Sequence, residues 1–243
     1  MEKNYKDDLI LGLEKINVEY DDEKIKKCLA YINFLLAYNQ KINLTAIKNP
    51  HEIILKHFLD SLAILNFIEM KNFKVVDIGT GAGFPGVPIK IFCPEIELTL
   101  LDSIEKKIKC LSLLKNELGL QKVNCVNARA EDFIKKNNAR ENYDLCVSRA
   151  VAKLNVLSEI CLPFVKLNGF FVAYKGFEIE DELSKAKNCI KKLGGGKINI
   201  KDVNIFDDEN KSFIRHKLIF VAKLFHSESK FPRDYVKILK KPL

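Results

Sequence analysis

The chain has 243 residues, 47% of them hydrophobic and 9% aromatic, which suits one large α/β domain or a domain with a small appendage. Its formal charge of +8 and pI of about 9.0 favour polyanionic partners such as nucleic acid or an anionic membrane surface, although so lysine-rich a composition also fits a merely solvated surface. Seven scattered cysteines with no CxxC pair argue against a disulfide framework or a metal site, and the charged start Met1–Asp8 and the short apolar runs argue against a signal peptide or a membrane span, so a cytoplasmic protein without bound metal is expected.

The first third has helical periodicity. Asp21 and Asp22 can cap a helix carrying Ile25, Leu29, Ile32, Leu35 and Leu36 at three- and four-residue steps. Asn49-Pro50-His51-Glu52 reads as a helix start, with Asn49 capping, Pro50 at the first helical position and Glu52 where a capping box wants an acid. That helix should carry Ile53, Ile54, Leu55, Phe58, Leu59 and Leu62 on its apolar side. His57 and Asp60 fall on one face of it and are expected to pack the helical segment onto the cofactor domain.

Around residue 73 the pattern changes to short apolar runs alternating with amphipathic helices. Candidate strands are 73–78, 96–102, 122–127, 143–148 and 169–174, with a helix between the second and third that Ser103 would cap and Gly119 would end. This alternation predicts a parallel sheet covered on both faces. After Gly194-Gly195-Gly196, the runs 197–206 and 214–224 are joined by a polar loop without a helix, so they should pair antiparallel. Residues 225–243 read as a basic, irregular tail. We therefore expect an N-terminal helical cap over residues 1–70 and a Rossmann-like core over 71–243, its mostly parallel sheet ending in antiparallel strands.

The informative segment is Val75-Val76-Asp77-Ile78-Gly79-Thr80-Gly81-Ala82-Gly83-Phe84-Pro85-Gly86: a buried strand, a glycine-rich turn and a helix start. Glycines there let the backbone turn sharply and approach a ligand at the carboxyl end of the strand. Two frames fit. Gly81-x-Gly83-x-x-Gly86 matches a dinucleotide fingerprint, with Asp102 lying 21 residues beyond Gly81. Asp77-x-Gly79-x-Gly81-x-Gly83 resembles the first motif of class I S-adenosylmethionine methyltransferases and is the better frame. In it the strand ends at Ile78, and Asp77 would repel a pyrophosphate but suits an ammonium. Asp102, ending the second strand, could accept from both ribose hydroxyls, and Ala130 and Glu131 follow the third strand beside the expected adenine position. Cys146 sits within the apolar run Leu145-Cys146-Val147 and reads as core.

Seven motifs then occur in order: Asn43-Leu44-Thr45, His57-Phe58-Leu59-Asp60-Ser61, the Gly79–Gly86 loop, Arg129-Ala130-Glu131, Ser148-Arg149-Ala150, Lys175-Gly176 and Phe231-Pro232-Arg233. Together they resemble the ribosomal RNA small subunit methyltransferase G family, also called the glucose-inhibited division protein B family. The resemblance implies a class I S-adenosylmethionine-dependent enzyme that methylates N7 of one guanine in the decoding region of 16S rRNA, acting on the RNA or the 30S subunit, with a monomer expected. It carries cofactor contacts to Gly79, Phe84, Ala130, Glu131 and Arg149; Asp77, Thr80, Gly81, Asp102 and Ser103 complete the candidate set. Lys175 and Arg233 are candidate RNA contacts, and Lys237, Lys240 and Lys241 extend the basic tail. No acid–base catalytic residue is expected, because guanine N7 offers a lone pair and no proton. Lys90 departs from the small or apolar residue expected in the helix after the loop.

Overall fold

In the computed structural model the described residues are 5–136, 138–149 and 151–243. Met1–Asn4 of the charged N-terminal stretch and Ala150 of the Ser-Arg-Ala motif, with Asn137, lie outside them, as do the side chains of Gln40 and Lys41. Seven strands form one sheet: β1 (Lys74–Ile78), β2 (Glu97–Asp102), β3 (Val123–Asn127), β4 (Tyr143–Arg149), β5 (Val165–Gly176), β6 (Gly195–Asp207) and β7 (Ser212–Lys223). Their order is β3-β2-β1-β4-β5-β7-β6. The first five are parallel, and β7 runs antiparallel to both β5 and β6, as two strands joined by a short polar turn must.

The pleat divides the core. Val75, Leu98, Leu100, Val147 and Val172 face one side; Val76, Leu101, Cys146, Phe171 and Ala173 face the other. On the first side pack α1 (Tyr5–Lys15), α2 (Asp22–Ile42), α5 (Gly86–Phe92) and α6 (Glu105–Glu117). On the second pack α7 (Ala130–Lys136), α8 (Leu154–Cys161), α9 (Glu180–Lys192) and α10 (Tyr235–Lys240). The N-terminal helices thus share one hydrophobic cluster with the sheet, including Leu9, Tyr31, Phe58 and Leu98.

Local signals act largely as expected. The Asp21 side chain accepts from the Lys24 amide to start α2, and Asn49 accepts from the His51 amide to start α3 (Pro50–Ile53). Glu52 is not the acid of a capping box: it pairs with Lys56 one turn on. The apolar stretch from Ile53 to Leu62 is not one regular helix. After α3 the chain opens into a π-helical turn at Ile54–Leu59, returns to α over α4 (Asp60–Leu62) and tightens to 3-10 over Ala63–Asn66. π turns of this kind recur at functional sites, and this one carries His57.

Three further expectations are corrected. Ser103 does not cap α6: the Asp102 carboxylate, one residue earlier, accepts from the Ile104 amide at 2.9 Å. Strand β5 begins at Val165, its register with β4 shifting between Tyr143 and Leu145, so the sheet reaches further than the apolar run. The last residues are irregular only in part: Tyr235–Lys240 form α10, and Arg233 is tied to Glu159 of α8, which is fully buried; Nε and Nη2 each donate at 2.6 Å. A carboxylate inside an apolar helix needs a paired cation, and the tail supplies it. Lys90 solves the opposite problem. Its stem is buried while Nζ donates to the carbonyls of Pro94 and Ile96 at 2.6 Å each, and burial pushes its ammonium below the usual range.

The β6–β7 turn is held against the N-terminal helices through His51. Nε2 lies 3.2 Å from Asp207, and Nδ1 lies 3.3 Å from Asp8 and 3.7 Å from Glu209. Asp8, His51 and Glu209 are close enough to share an ion, but they lie outside the cavity at the carboxyl end of the sheet.

Candidate functional site

The carboxyl ends of β1, β2 and β4 open into a cavity of about 490 Å³, a volume suited to a nucleoside-sized ligand. Its floor is the turn after β1. The Gly79 and Thr80 amides both reach the Leu101 carbonyl, at 2.8 and 3.1 Å, pinning the turn to β2. Gly79 has φ +72°, and a Cβ there would lie 2.4 Å from Val151 Cγ2. Gly83 has φ +101°, and a Cβ there would strike the Tyr31 hydroxyl at 2.7 Å. Both positions need glycine for conformation and for space. From above, the Tyr31 hydroxyl donates to the Ala82 carbonyl at 2.5 Å and its ring stacks on Phe84, so α2 braces the loop directly.

The two acids of the motif play different parts. Asp77 does not line the cavity. It is buried beneath the turn, where Oδ2 accepts from the Thr80 hydroxyl at 2.7 Å and the Gly86 amide at 2.9 Å. Among the described residues Oδ1 has no partner, and burial pushes this carboxyl up to about 6. Asp102 does line the cavity. Its Oδ2 accepts from the Gly81 amide at 3.0 Å while Oδ1 holds Ile104, so one carboxylate aligns the glycine turn and the start of α6. Gly79, Thr80, Gly81, Phe84, Ser103, Ala130, Glu131 and Arg149 are also in the lining. The structure therefore brings the candidate set together around one space, with Asp77 under it.

Glu131 is further fixed by the Tyr235 amide at 3.3 Å, through which α10 closes the cavity beside α7. Tyr235, Lys107 and Arg129 line the space as well, and the sequence reading gave none of them a role. Arg129 lies over the Tyr235 ring, 5.4 Å from its centroid. The signal was present for Arg129, inside Arg129-Ala130-Glu131, but nothing along the chain connects residue 129 to 235.

Lys175 and Arg233 are not in the lining. The Lys175 ammonium donates to the Ala152 carbonyl at 2.9 Å and pairs with Glu182 at 2.7 Å, while Arg233 is committed to Glu159. Glu182 also accepts from the Leu154 amide, so Lys175 steadies the segment after Arg149. Cys146 is fully buried, and burial pushes its thiol far up, which suits packing and not nucleophilic attack.

Another part of the lining is a polar network centred on Arg149. Nη1 donates to Asp60 Oδ2 at 2.5 Å and to the Lys56 carbonyl at 3.2 Å, and Nη2 reaches His57 Nδ1 at 3.1 Å. His216 Nε2 lies 2.8 Å from the other Asp60 oxygen. Burial alone would raise the Asp60 carboxyl, but His216 and Arg149 outweigh it and hold the pKa below the usual range. The guanidinium also sits over Phe84, 5.2 Å from the ring centroid. His57 and Asp60 thus do join the N-terminal segment to the sheet, not through each other but through Arg149.

The Lys56 carbonyl lies 3.2 Å from His57 Nδ1 as well, but it already accepts from Arg149 Nη1, whereas Arg149 Nη2 at 3.1 Å can only donate; the guanidinium contact therefore assigns Nδ1 as the acceptor and the ring proton to Nε2. Burial, reinforced by the Arg149 charge, lowers the His57 pKa to about 4 from its ordinary 6.5. The folded state then binds fewer protons than the unfolded chain between these values. The contribution of His57 to stability is complete above about pH 6.5 and is lost as pH falls toward 4. Side-chain NMR should show one imidazole titrating near pH 4 and absent from the spectra of His57→Gln. A titration near 6.5 would contradict the assigned network.

A family model described as rRNA small subunit methyltransferase G matches residues 24–210. A curated protein named Ribosomal RNA small subunit methyltransferase G from Clostridium kluyveri is 44% identical over 230 residues, covering 94% of each chain. One of the same name from Alkaliphilus oremlandii is 45% identical over 240 residues, covering 98% of each. Among solved structures, a SAM-dependent O-methyltransferase from Thermotoga maritima superposes with TM-score 0.53 at 14% identity, over 80% of this chain and 73% of that one. M. jannaschii TYW2 in complex with AdoMet gives TM-score 0.52 at 15% identity, over 68% and 74%. At such identities the likeness is one of fold, and that fold is the class I methyltransferase one.

Proposed function

The chain belongs to the rRNA small subunit methyltransferase G family, and from that premise we propose that it transfers the methyl group of S-adenosylmethionine to N7 of a guanine in the decoding region of 16S rRNA. The observation that carries the reading is the cavity. It has a glycine floor that a Cβ would fill, and acids stand at its margin where a nucleoside's hydroxyls and base edge need acceptors. These residues fit the cofactor. Asp102 would take the ribose hydroxyls, the Ala130–Glu131 turn the adenine, and Gly79, Thr80 and Gly81 the approach of the amino-acid end. The buried Asp77 charge would favour an ammonium above the turn.

When bound, the cofactor supplies a methyl group on a positively charged sulfur. The protein's task is then to present guanine N7 in line with that methyl and to exclude water. N7 attacks with its own lone pair, so no side chain needs to remove a proton, and the neutral His57 is not asked to. Residues 1–70 would serve as a cap whose Thr45–His57 wall faces the base, with 71–243 as the cofactor-binding core. Lys107 and Arg129, in the lining, are better placed than Lys175 or Arg233 to meet RNA phosphate. No described helix is long and apolar enough to cross a membrane.

Tritiated methyl from S-adenosylmethionine, offered with small-subunit RNA, assembled 30S subunits, large-subunit RNA and tRNA, tests this. Label should enter small-subunit RNA alone, free or assembled, to about one methyl per molecule. Transfer to the other RNAs, or none at all from a protein that binds the cofactor, would overturn the substrate assignment.

A further inference from the structure

Thr45 stands on the cavity wall beside His57 and Leu44. Its backbone is clamped by one side chain: Asn39 Nδ2 donates to the Thr45 carbonyl at 2.8 Å, and Asn39 Oδ1 accepts from the Thr45 amide at 2.9 Å. Asn39 is itself buried, so the position is set by α2 and not by loop flexibility. The Thr45 hydroxyl oxygen then accepts twice, from the Ile47 amide at 3.1 Å and from His57 Nε2 at 2.8 Å. The second bond has a defined direction, because Arg149 donates to Nδ1 and leaves the ring proton on Nε2.

A hydroxyl has one proton and two lone pairs. Both lone pairs of Thr45 are occupied by protein donors, and among the described residues no acceptor for its proton is seen. Thr45 is therefore a donor without acceptor capacity, on the wall of the cavity.

We infer that Thr45 is a specificity-determining residue that donates to O6 of the target purine, selecting guanine over adenine and orienting N7 for attack. The inference rests on the guanine-N7 reading above. O6 and N7 share the Hoogsteen edge of guanine. Adenine offers an equally unprotonated N7, but its neighbouring group is an amine, a donor. An amine facing Thr45 would find no lone pair and would leave two donors opposed. A site built around a polar pair rejects the analogue that cannot complete it far more strongly than an apolar pocket does. Arg149 and His57 thus act on the base at one remove, as positioning residues that fix the polarity of the hydroxyl.

The test compares wild-type protein with Thr45→Val and Thr45→Ser, using 30S subunits with either guanine or adenine at the methylated nucleotide. Cofactor affinity and melting temperature are measured on each protein. Thr45→Val should lower kcat/KM on guanine by about tenfold or more, mainly through kcat, with cofactor affinity changed less than about twofold. The guanine-to-adenine ratio should narrow, and Thr45→Ser should restore both. Should Thr45→Val melt early, Thr45→Ser decides: it must keep most of the wild-type preference, and loss of that preference overturns the inference. Wild-type turnover and an unchanged ratio in Thr45→Val would also overturn it. Failure of the underlying reading looks different, since wild-type protein would then form no 7-methylguanosine on guanine subunits.

Discussion

Replacing Gly79 by valine is expected to abolish cofactor binding, with affinity falling by at least about a hundredfold, because a β-branched residue is forced into a left-handed turn that closes the cavity floor. Gly79 holds φ +72°, and the first side-chain carbon would already lie 2.4 Å from Val151 Cγ2. The turn cannot shift to make room, since the Gly79 and Thr80 amides are both spent on the Leu101 carbonyl. Calorimetric titration with S-adenosylmethionine reads the effect directly. Steric cause can be separated from conformational cause: Val151→Ala should recover part of the loss in Gly79→Ala, where the clash is a single methyl, but little in Gly79→Val. Wild-type affinity in Gly79→Val would remove the turn from the cofactor site.

The second large effect is expected at Arg149. Truncation to alanine leaves Asp60 with His216 alone and removes the donors of His57 Nδ1 and the Lys56 carbonyl. Breaking a buried ion pair from one side typically costs about 3–5 kcal/mol. For a chain of this size that is a fall in melting temperature of roughly 10 °C, readable by calorimetry. Arg149→Lys should rescue little, because an ammonium cannot fork to a carboxylate, a carbonyl and an imidazole together. Methyl transfer should fall further than stability explains, since His57 would lose its fixed tautomer and Thr45 its fixed polarity. A variant as stable as wild type would show that the network is dispensable.

These expectations differ in how far the sequence could have carried them. The glycine turn is legible because its chemistry is local: strand, positive-φ glycines and helix start succeed one another within a dozen residues. The strands are legible for the same reason, and their antiparallel ending comes from the missing helix between β6 and β7. Asp102 is found at its strand end, although the structure adds that it, and not Ser103, accepts from the Ile104 amide just ahead of α6. The Arg149 network is not legible as a network. Its members lie at 56–60, 149 and 216, and the π turn that directs His57 and Asp60 toward Arg149 has no sequence signature beyond an apolar helical pattern.

The tail misleads at Arg233 for a related reason, while Lys237, Lys240 and Lys241 are exposed. Lysine and arginine after residue 225 look solvated when only composition is considered. The telling signal lies elsewhere, in Glu159, a lone acid inside Leu154-Asn155-Val156-Leu157-Ser158-Glu159-Ile160-Cys161. A fully buried carboxylate requires a cation, and Arg233 is that cation. Lys90 shows the same logic in reverse, since an odd charge on an apolar helix face marks a bond to backbone carbonyls. Asp77 is recognisable as a motif residue that would face the ligand, whereas its position under the turn makes it a brace for Thr80 and Gly86.

The measurement that bears most directly on the central claim is the identity of the labelled nucleoside. Small subunits lacking the modification would be incubated with the protein and methyl-labelled S-adenosylmethionine, and their RNA digested to nucleosides and resolved by mass. The account predicts that the label is recovered as 7-methylguanosine, from a single nucleotide of the decoding region. Label in any other nucleoside, or at many guanines, would contradict it.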